Sequence, residues 1–142
     1  MITKIVPTQY FFLNLSEIPN IPLMKKTLVL GASPNPLRFS HKMVKSLVRH
    51  QNEVVAVGFR EGEISGIKIL TGKPSLKDIH TISLFIGPKG QVSVYDYILS
   101  LHPRRIIFNP GTVNEELMKL ARDKGIEVVT DCALVMLSSG KY

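Results

Sequence analysis

Residues 28–40 read Leu28-Val29-Leu30-Gly31-Ala32-Ser33-Pro34-Asn35-Pro36-Leu37-Arg38-Phe39-Ser40, an apolar run that ends at a glycine and leads into a turn-rich loop. An amphipathic pattern begins at about Ser40, so this segment predicts a strand, a tight loop and a helix in succession. Free backbone N–H groups and the positive end of a helix dipole meet at such a junction. We therefore expect the protein to bind a phosphate-bearing ligand at this loop.

Length and composition indicate one globular domain. The chain has 142 residues, of which 44% are hydrophobic and 20% charged, a composition that can bury a core and is not typical of disorder. No apolar run approaches the roughly 20 residues that a membrane-spanning helix needs. Cys132 is the single cysteine, which excludes a disulfide within the chain and fits a reducing compartment. We therefore expect a cytoplasmic protein that does not act on a membrane.

The net charge of +7 favours an anionic partner. The lysines and arginines are spread along the chain, and no dense basic run with interleaved aromatic residues marks a nucleic-acid-binding surface. We therefore expect a small anionic ligand and no nucleic acid. The alternative for most of these side chains is an ordinary solvated basic surface.

The first 23 residues differ from the rest of the chain. They contain three prolines and the apolar run Tyr10-Phe11-Phe12-Leu13, without helical or strand periodicity, and they lack the pattern of a signal peptide. Met24 stands just before the first predicted strand and would be a natural start. Residues 1–23 are thus either an upstream extension or an arm that packs on the domain or on a second copy in a homodimer, and the domain itself is predicted over residues 24–142.

The remaining sequence alternates apolar runs with amphipathic or turn-rich segments. Strands are predicted at 27–30, 54–57, 81–86, 105–108 and 126–129, and helices at about 40–50, 92–101, from the Thr112 cap to 124, and 133–137. Residues 67–70 are interpreted as a short edge element and 74–78 as a short helix or turn. Ser40 and the capping box Thr112-Val113-Asn114-Glu115 are the predicted starts of two helices.

This alternation predicts an α/β fold. Short right-handed crossovers give a doubly wound, Rossmann-like parallel sheet of five strands, in the order 3-2-1-4-5, within three layers. The uniformly apolar strands agree with a sheet buried on both faces. The ligand is expected at the carboxyl ends of the strands, at the switch point between strands 1 and 4.

The loop and the end of the second strand narrow the class of nucleotide. Of the Gly-x-Gly-x-x-Gly fingerprint for dinucleotides only Gly31 is present. Phe59 and Arg60 occupy the position where an acidic residue would bind a free ribose diol. A guanidinium group pairs instead with a phosphate on the ribose, which favours coenzyme A (CoA) or NADP over NAD. If the strand boundary lies a few residues later, Glu61 or Glu63 takes that place instead.

The ordered set of motifs resembles the small stand-alone CoA-binding proteins, whose fold is that of the CoA-binding domain of the succinyl-CoA synthetase α subunit. The matching residues span about 26–137 and are Val29–Pro36, Arg38, Ser40, Gly66, Pro74–Ile79, Gly111–Glu116, Leu120-Ala121 and Asp131-Cys132. The chain departs from the family after strand 2, where Phe59-Arg60 replaces a frequent Asn-Pro. It also departs in strand 4, where the sequence is Ile107-Phe108-Asn109-Pro110. A third departure is the end of strand 3, where the sequence is Ile86-Gly87-Pro88.

The residues and the resemblance together predict how the site is divided along the ligand. Loop residues would surround the pyrophosphate, two arginines would bind the sugar phosphate, two phenylalanines would stack on adenine, and the end of strand 4 would line the pantetheine channel with Pro88 on the same rim. The predicted cofactor-binding residues are Gly31, Ala32, Ser33, Pro34, Asn35, Arg38, Phe39, Ser40, Phe59, Arg60, Pro88, Asn109, Pro110, Gly111 and Cys132.

Each of these roles has a plainer alternative. The loop could be an ordinary strand-to-helix turn, the arginines surface charges, and the phenylalanines packed aromatic residues. Asn109 to Gly111 could simply lead into the next helix. Cys132 is interpreted as a packed, inert thiol, because no histidine is spaced to act as its base.

The sequence predicts no metal site and favours a protein that is not an enzyme. The histidines lack ligand spacing, and no nucleophile elbow, Walker lysine or paired acidic motif is present. We expect a non-catalytic carrier, sensor or regulatory module for CoA or an acyl-CoA. The alternatives are an NADP-binding reductase or its remnant, and an interaction module that has lost the ligand.

Overall fold

The computed structural model describes residues 25–142. The predicted extension at 1–23, its suggested homodimer contact and the predicted domain start at Met24 lie outside the described residues. Within 25–142, none of the helices combines the length and the apolar character that a membrane span requires.

Strands and helices alternate along the described residues. The strands are β1 (Thr27–Leu30), β2 (Val54–Val57), β3 (Gly62–Ile64), β4 (Ile67–Leu70), β5 (Thr81–Leu84), β6 (Arg105–Phe108) and β7 (Glu127–Thr130). The helices are α1 (Phe39–Arg49), α2 (Pro88–Gln91), α3 (Tyr95–Ser100), α4 (Glu115–Asp123) and α5 (Ala133–Ser138), with a 3-10 turn at Val92–Val94 between α2 and α3.

The strands form one sheet in the order β3-β4-β2-β1-β5-β6-β7. All neighbouring pairs are parallel except β3 and β4, which are antiparallel. The predicted three-layer, Rossmann-like α/β architecture is therefore confirmed. The predicted count of five strands, all parallel, is wrong.

The predicted strand order also requires correction. Residues 81–84 were expected at the edge of the sheet, beyond β2, but β5 pairs with β1, with Thr27 opposite Thr81. The position beside β2 belongs to β4, the segment interpreted as a short edge element. The switch point consequently lies between β1 and β5, and not between β1 and β6, because β5 separates those two strands.

The β3–β4 hairpin explains the error. Its two-residue turn is Ser65-Gly66, and both residues have positive φ, 49° and 83°. Such a turn matches the twist of an antiparallel pair. The hairpin returns the chain so that β4 runs parallel to β2 without a crossover helix. A short apolar segment of four residues thus becomes an internal strand.

Helices cover both faces of the sheet. Helices α1 and α5 pack together on one face, over a core that includes Val29 and Ile107. Helices α3 and α4 pack together on the other, over Leu28, Leu30 and Phe108. Alternate residues of β1 therefore belong to opposite cores, as expected for a sheet buried on both sides.

Two helix starts differ from the prediction. The N-cap position of α1 is Arg38, whose side chain makes no capping bond, so Ser40 lies inside the first turn. Asn114 caps α4 by accepting from the N–H groups of Glu116 and Leu117. The hydroxyl of Thr112 instead donates to the carbonyl of Asn109 at 2.8 Å. The capping box was therefore placed two residues too early.

Several boundaries also shift. The helix predicted over 92–101 begins earlier, as α2, and is interrupted by the 3-10 turn before α3. Residues 74–78, interpreted as a short helix or turn, have no regular secondary structure. Tyr97 donates its hydroxyl to the carbonyl of Pro74 at 2.7 Å, which anchors that segment over the sheet.

Tyr142 packs at the amino ends of the strands, opposite the switch-point edge. Its ring centroid lies 4.6 Å from Arg105 Cζ, and its hydroxyl lies 2.5 Å from Thr27 Oγ1. Burial raises the pKa of the Tyr142 hydroxyl above its usual value of 10.0. The folded state therefore prefers the neutral phenol.

This preference predicts a pH-dependent contribution to stability. The contribution of neutral Tyr142 is present below about pH 10 and is lost as the pH rises through the raised pKa of the folded state. We expect Tyr142→Phe to lower the free energy of unfolding by about 1 kcal/mol near neutral pH and to flatten its alkaline decline. Urea denaturation of both proteins across that range measures this, and parallel declines would contradict it.

Candidate functional site

A cleft of about 730 Å³ opens at the carboxyl ends of the parallel strands. Ligand sites of α/β proteins lie at this edge, beside the switch point, and commonly have volumes of about 300–1,000 Å³. The cleft is lined by Gly31, Ala32, Ser33, Pro34, Asn35, Arg38, Phe39, Ser40, Phe59, Arg60, Phe85, Gly87, Asn109, Pro110, Gly111, Thr112, Cys132 and Leu134.

The cleft brings together the residues predicted from the sequence, except one. Pro88 begins α2 and does not line the cleft, whereas its neighbour Gly87 does. Sequence reasoning missed Phe85, Gly87, Thr112 and Leu134. Phe85 and Gly87 follow β5, which was expected at the edge of the sheet but lies beside β1. Only the correct strand order would have placed these two residues in the site. The ligand-binding roles of all these residues stay predictions.

Two amides of the loop between β1 and α1 are already used within the protein. The N–H groups of Gly31 and Ala32 both donate to the carbonyl of Val57, at 2.8 and 2.9 Å. They tie the loop to the end of β2 and are not free to bind an anion. Gly31 has φ +99°, and a Cβ at this position would meet Phe85 at 3.0 Å, so a larger residue would strain this junction.

The next part of the loop is closed by its own hydrogen bonds. Asn35 N–H donates to Ser33 Oγ at 3.1 Å, and Leu37 N–H donates to Asn35 Oδ1 at 3.0 Å. The N–H of Ser33 makes no hydrogen bond to any described residue. The first three N–H groups of α1 likewise lack helical acceptors, because the first helical bond runs from Lys42 to Arg38.

Ser40 adds a hydroxyl to this group of donors. The residue is only 4% exposed and lies in the first turn of α1, on the wall of the cleft. Its hydroxyl makes no hydrogen bond with any residue from 25 to 142, and it is not among the fully buried unpartnered atoms of that range, so it is accessible from the cleft. An unpartnered hydroxyl at a helix N-terminus is suited to an anion.

The cleft wall is positively charged. Arg38 and Arg60 both line it and are exposed. Neither guanidinium contacts a carboxylate of the described part of the chain, where the ion pairs are Lys26–Glu53 and Lys119–Asp123. The lining residues include no acidic side chain. The arrangement favours an anionic ligand over a neutral one.

Two aromatic rings stand at the same end. Phe39 is 66% exposed and Phe59 is 82% exposed, although both line the cleft. Lys42 Nζ lies 5.2 Å from the Phe39 ring centroid. The alternative that these are packed aromatic residues is therefore wrong, and both side chains are largely exposed on the cleft wall.

The buried side-chain amides of Asn109 and Gln91 support the end of the cleft opposite Phe39 and Phe59. Asn109, 3% exposed, donates to Ser83 Oγ at 3.0 Å and to the Leu84 carbonyl at 2.9 Å, and it accepts from Ala133 N–H at 2.9 Å. Its side chain joins β5, β6 and the start of α5. It is a structural part of the cleft floor and does not offer a free polar group to a ligand.

Gln91 holds two of the cleft loops in the same way. It is fully buried, and its Nε2 donates to the carbonyls of Ile86 and Thr112, each at 2.7 Å. Its Oε1 accepts from Asn114, the residue that caps α4. Sequence reasoning missed Gln91, because an isolated glutamine carries no recognisable signal.

Glycines permit the close approach of β2 and β3 to the loop. A Cβ on Gly58 would lie 2.0 Å from the carbonyl oxygen of Ala32, and one on Gly62 would lie 2.8 Å from Pro34 Cβ. Both distances are shorter than van der Waals contact. These glycines therefore set the position of the loop relative to the sheet edge.

The cleft lining includes one thiol. Cys132 is half-buried at the cleft wall, and its N–H donates to Asp131 Oδ1 at 2.7 Å. No histidine, lysine or carboxylate lines the cleft to serve as its base. Within residues 25–142, no three His, Cys, Asp or Glu side chains come together as a metal-binding group.

Comparison with known proteins identifies the family. Residues 25–138 match the family model described as CoA binding domain. The chain belongs to the CoA-binding domain family. The resemblance inferred from the sequence motifs is therefore confirmed, and CoA is the ligand that the family is described as binding.

Solved structures support the same fold. One, the crystal structure of an uncharacterized protein, is 45% identical, covers 85% of this chain and 100% of its own, and has a TM-score of 0.82. A protein of Thermus thermophilus is 24% identical with a TM-score of 0.74, covering 84% of this chain and 91% of its own. A hypothetical protein of Pyrococcus horikoshii is 26% identical with a TM-score of 0.70, covering 82% and 83%. No curated protein matches the chain.

The hydrogen bonds of Asn109 predict a large effect of its removal. Asn109→Ala removes a hydrogen-bond partner from Ser83 Oγ, the Leu84 carbonyl and Ala133 N–H at once, so we expect a loss of about 2–4 kcal/mol in the free energy of unfolding. Asn52→Ala is the matched control, because the Asn52 side chain makes no hydrogen bond within the described residues. Urea denaturation measures both, and equal losses would contradict the structural role of Asn109.

The contact at Gly58 predicts a displaced loop. Gly58→Ala forces a methyl group onto the Ala32 carbonyl, so we expect a loss of about 1–3 kcal/mol in stability and faster amide exchange in residues 31–38. Gly87→Ala serves as the control, since Gly87 has φ −65° and its Cβ would meet no atom within 4 Å. Unchanged exchange in the loop of the Gly58 variant would show that the contact does not position it.

Proposed function

We propose that the protein binds CoA or an acyl-CoA in this cleft, with the pyrophosphate at the N-terminus of α1. The observation that carries this proposal is the hydroxyl of Ser40, which lies on the cleft wall, is accessible from the cleft and has no hydrogen-bond partner among the described residues. It belongs to the first turn of α1, whose N–H groups lack acceptors, and Ser33, whose N–H is also unbonded, lines the same cleft. Together with the helix dipole, these donors suit a doubly charged pyrophosphate.

The arginines suit the phosphate on the ribose. Arg38 follows the loop and Arg60 follows β2, so both lie at the end of the cleft nearest β1 and β2. A guanidinium group binds a phosphate through paired N–H donors. We therefore assign to these two residues the 3′-phosphate that distinguishes CoA from its dephosphorylated form.

The exposed rings suit the adenine base. Phe39 and Phe59 are largely exposed and line the cleft at the same end as the arginines. Base stacking on an aromatic ring contributes about 1–3 kcal/mol. Adenine bound there would cover apolar surface that is otherwise in contact with water.

The pantetheine arm then runs along the ends of β5, β6 and β7. The distance from β1 to β7 is three strand spacings, about 14 Å, which suits an extended arm. The amides of Asn109 and Gln91 in this region are already hydrogen-bonded within the protein. Phe85, Pro110 and Leu134 complete a wall that offers mainly apolar contact, and the thiol end of the ligand comes near Cys132.

We further propose a non-catalytic carrier, sensor or regulatory role. The lining side chains include no histidine, lysine, aspartate or glutamate that could transfer a proton. Cys132 without a neighbouring base is not an activated nucleophile. Binding without chemistry is the activity that this set of side chains supports best.

Calorimetric titration tests the assignment of the arginines. We expect CoA to bind the protein about tenfold or more tightly than 3′-dephospho-CoA, since one charge-assisted hydrogen bond is worth about 1.5–3 kcal/mol. Arg60→Gln and Arg38→Gln should weaken CoA while leaving 3′-dephospho-CoA nearly unchanged. Arg49→Gln, at the far end of α1, removes the same charge outside the cleft and serves as the control.

Three results would contradict this proposal. Equal affinity of the unaltered protein for CoA and 3′-dephospho-CoA would remove the role of the sugar phosphate. Tighter binding of NADPH than of CoA would favour the nicotinamide nucleotide instead. No binding of any of these ligands would remove the proposed function as a whole.

A further inference from the structure

His41 is a buried histidine behind the proposed phosphate subsite. It lies in the first turn of α1, is 9% exposed and does not line the cleft. Its Nδ1 lies 3.0 Å from the carbonyl oxygen of Ser33, eight residues earlier in the chain. Because a carbonyl oxygen only accepts hydrogen bonds, Nδ1 must carry the proton.

The hydrogen bond from His41 restrains Ser33, the loop residue whose N–H is unbonded. Ser33 is held at two points: its carbonyl accepts from His41, and its Oγ accepts from Asn35 N–H. Pro34 follows it and restricts its backbone to extended conformations. The Ser33 N–H makes no hydrogen bond to the described residues, so its direction is set by these neighbouring contacts.

The alternative orientation of Ser33 would oppose anion binding. The carbonyl oxygen now points toward His41, which is outside the cleft lining. Without a donor there, the carbonyl of this half-buried residue would lose its partner, and turning toward the cleft would replace that partner with water. A carbonyl dipole directed into the cleft would repel a phosphate.

We infer that His41 is a positioning residue for the phosphate subsite. It holds the Ser33 carbonyl away from the cleft and keeps the Ser33 N–H beside the free N–H groups of α1. This inference rests on the proposed function, since it assigns a role within the same site. It adds a residue that does not touch the ligand and that the sequence motifs did not indicate.

A pair of variants separates the hydrogen bond from the packing of the ring. In His41→Asn, the amide Nδ2 is bonded to Cγ as Nδ1 is, so the donor remains in place. In His41→Leu, a methyl group occupies that position and donates nothing. We expect His41→Leu to bind CoA about tenfold more weakly and His41→Asn to stay within about threefold of the unaltered protein.

Pantetheine, which carries no phosphate, shows whether the effect of the variants is specific to the phosphate subsite. Affinity for pantetheine, measured by the same titration, should be equal in all three proteins. If His41→Asn loses as much CoA affinity as His41→Leu, or if His41→Leu loses none, the inference is overturned. A parallel loss for pantetheine would also overturn it, because the effect would then not be confined to phosphate.

Amide hydrogen exchange without ligand distinguishes this inference from the proposed function. We expect residues 31–38 to exchange faster in His41→Leu than in the unaltered protein, and His41→Asn to restore slow exchange. If CoA does not bind but this pattern is observed, the proposed function fails while the anchoring of the loop stands. Identical exchange in all three proteins overturns the inference. Should His41→Leu not fold, His41→Phe keeps a ring without a donor and takes its place.

Discussion

The carbonyl oxygen of Val57 accepts two hydrogen bonds, from Gly31 at 2.8 Å and from Ala32 at 2.9 Å. This one acceptor joins the end of β2 to the loop after β1. It also determines which loop amides remain available, because it uses the two nearest the strand. The donors offered to an anion therefore lie further along, at Ser33 and in the first turn of α1. The close approach of Gly58 to Ala32 makes this junction possible.

The general architecture could be predicted from the sequence, because uniformly apolar runs separated by amphipathic segments specify buried parallel strands. The strand order could not. Residues 67–70 and 81–84 are both short apolar runs, and nothing local to either says which one lies beside β2. The turn signal was present at Ser65-Gly66, where two positive φ values form a hairpin, but serine followed by glycine is also common in ordinary loops.

The candidate site was more predictable than the sheet that carries it. The residues of the cleft follow strand ends, and strand ends remain at one edge of a parallel sheet whatever their order. Arg60 and Asn109 are examples, since both line the cleft although the order of the strands was wrong. What the sequence did not reveal is which side chains are already occupied. Asn109 and Gln91 are saturated by partners distant in sequence, and such pairings arise only in the folded chain.

The short hairpin at the sheet margin has a consequence for self-association. β3 has only three residues, Gly62–Ile64, and it runs against the direction of the strands beyond β4. A long parallel strand at this margin would present a regular row of unpaired backbone groups to other molecules and could seed aggregation. A strand of three residues that ends in a two-residue turn presents only a few unpaired backbone groups with which a strand of another chain could pair. The hairpin that adds two strands to the sheet thus also limits strand pairing with other molecules at this edge.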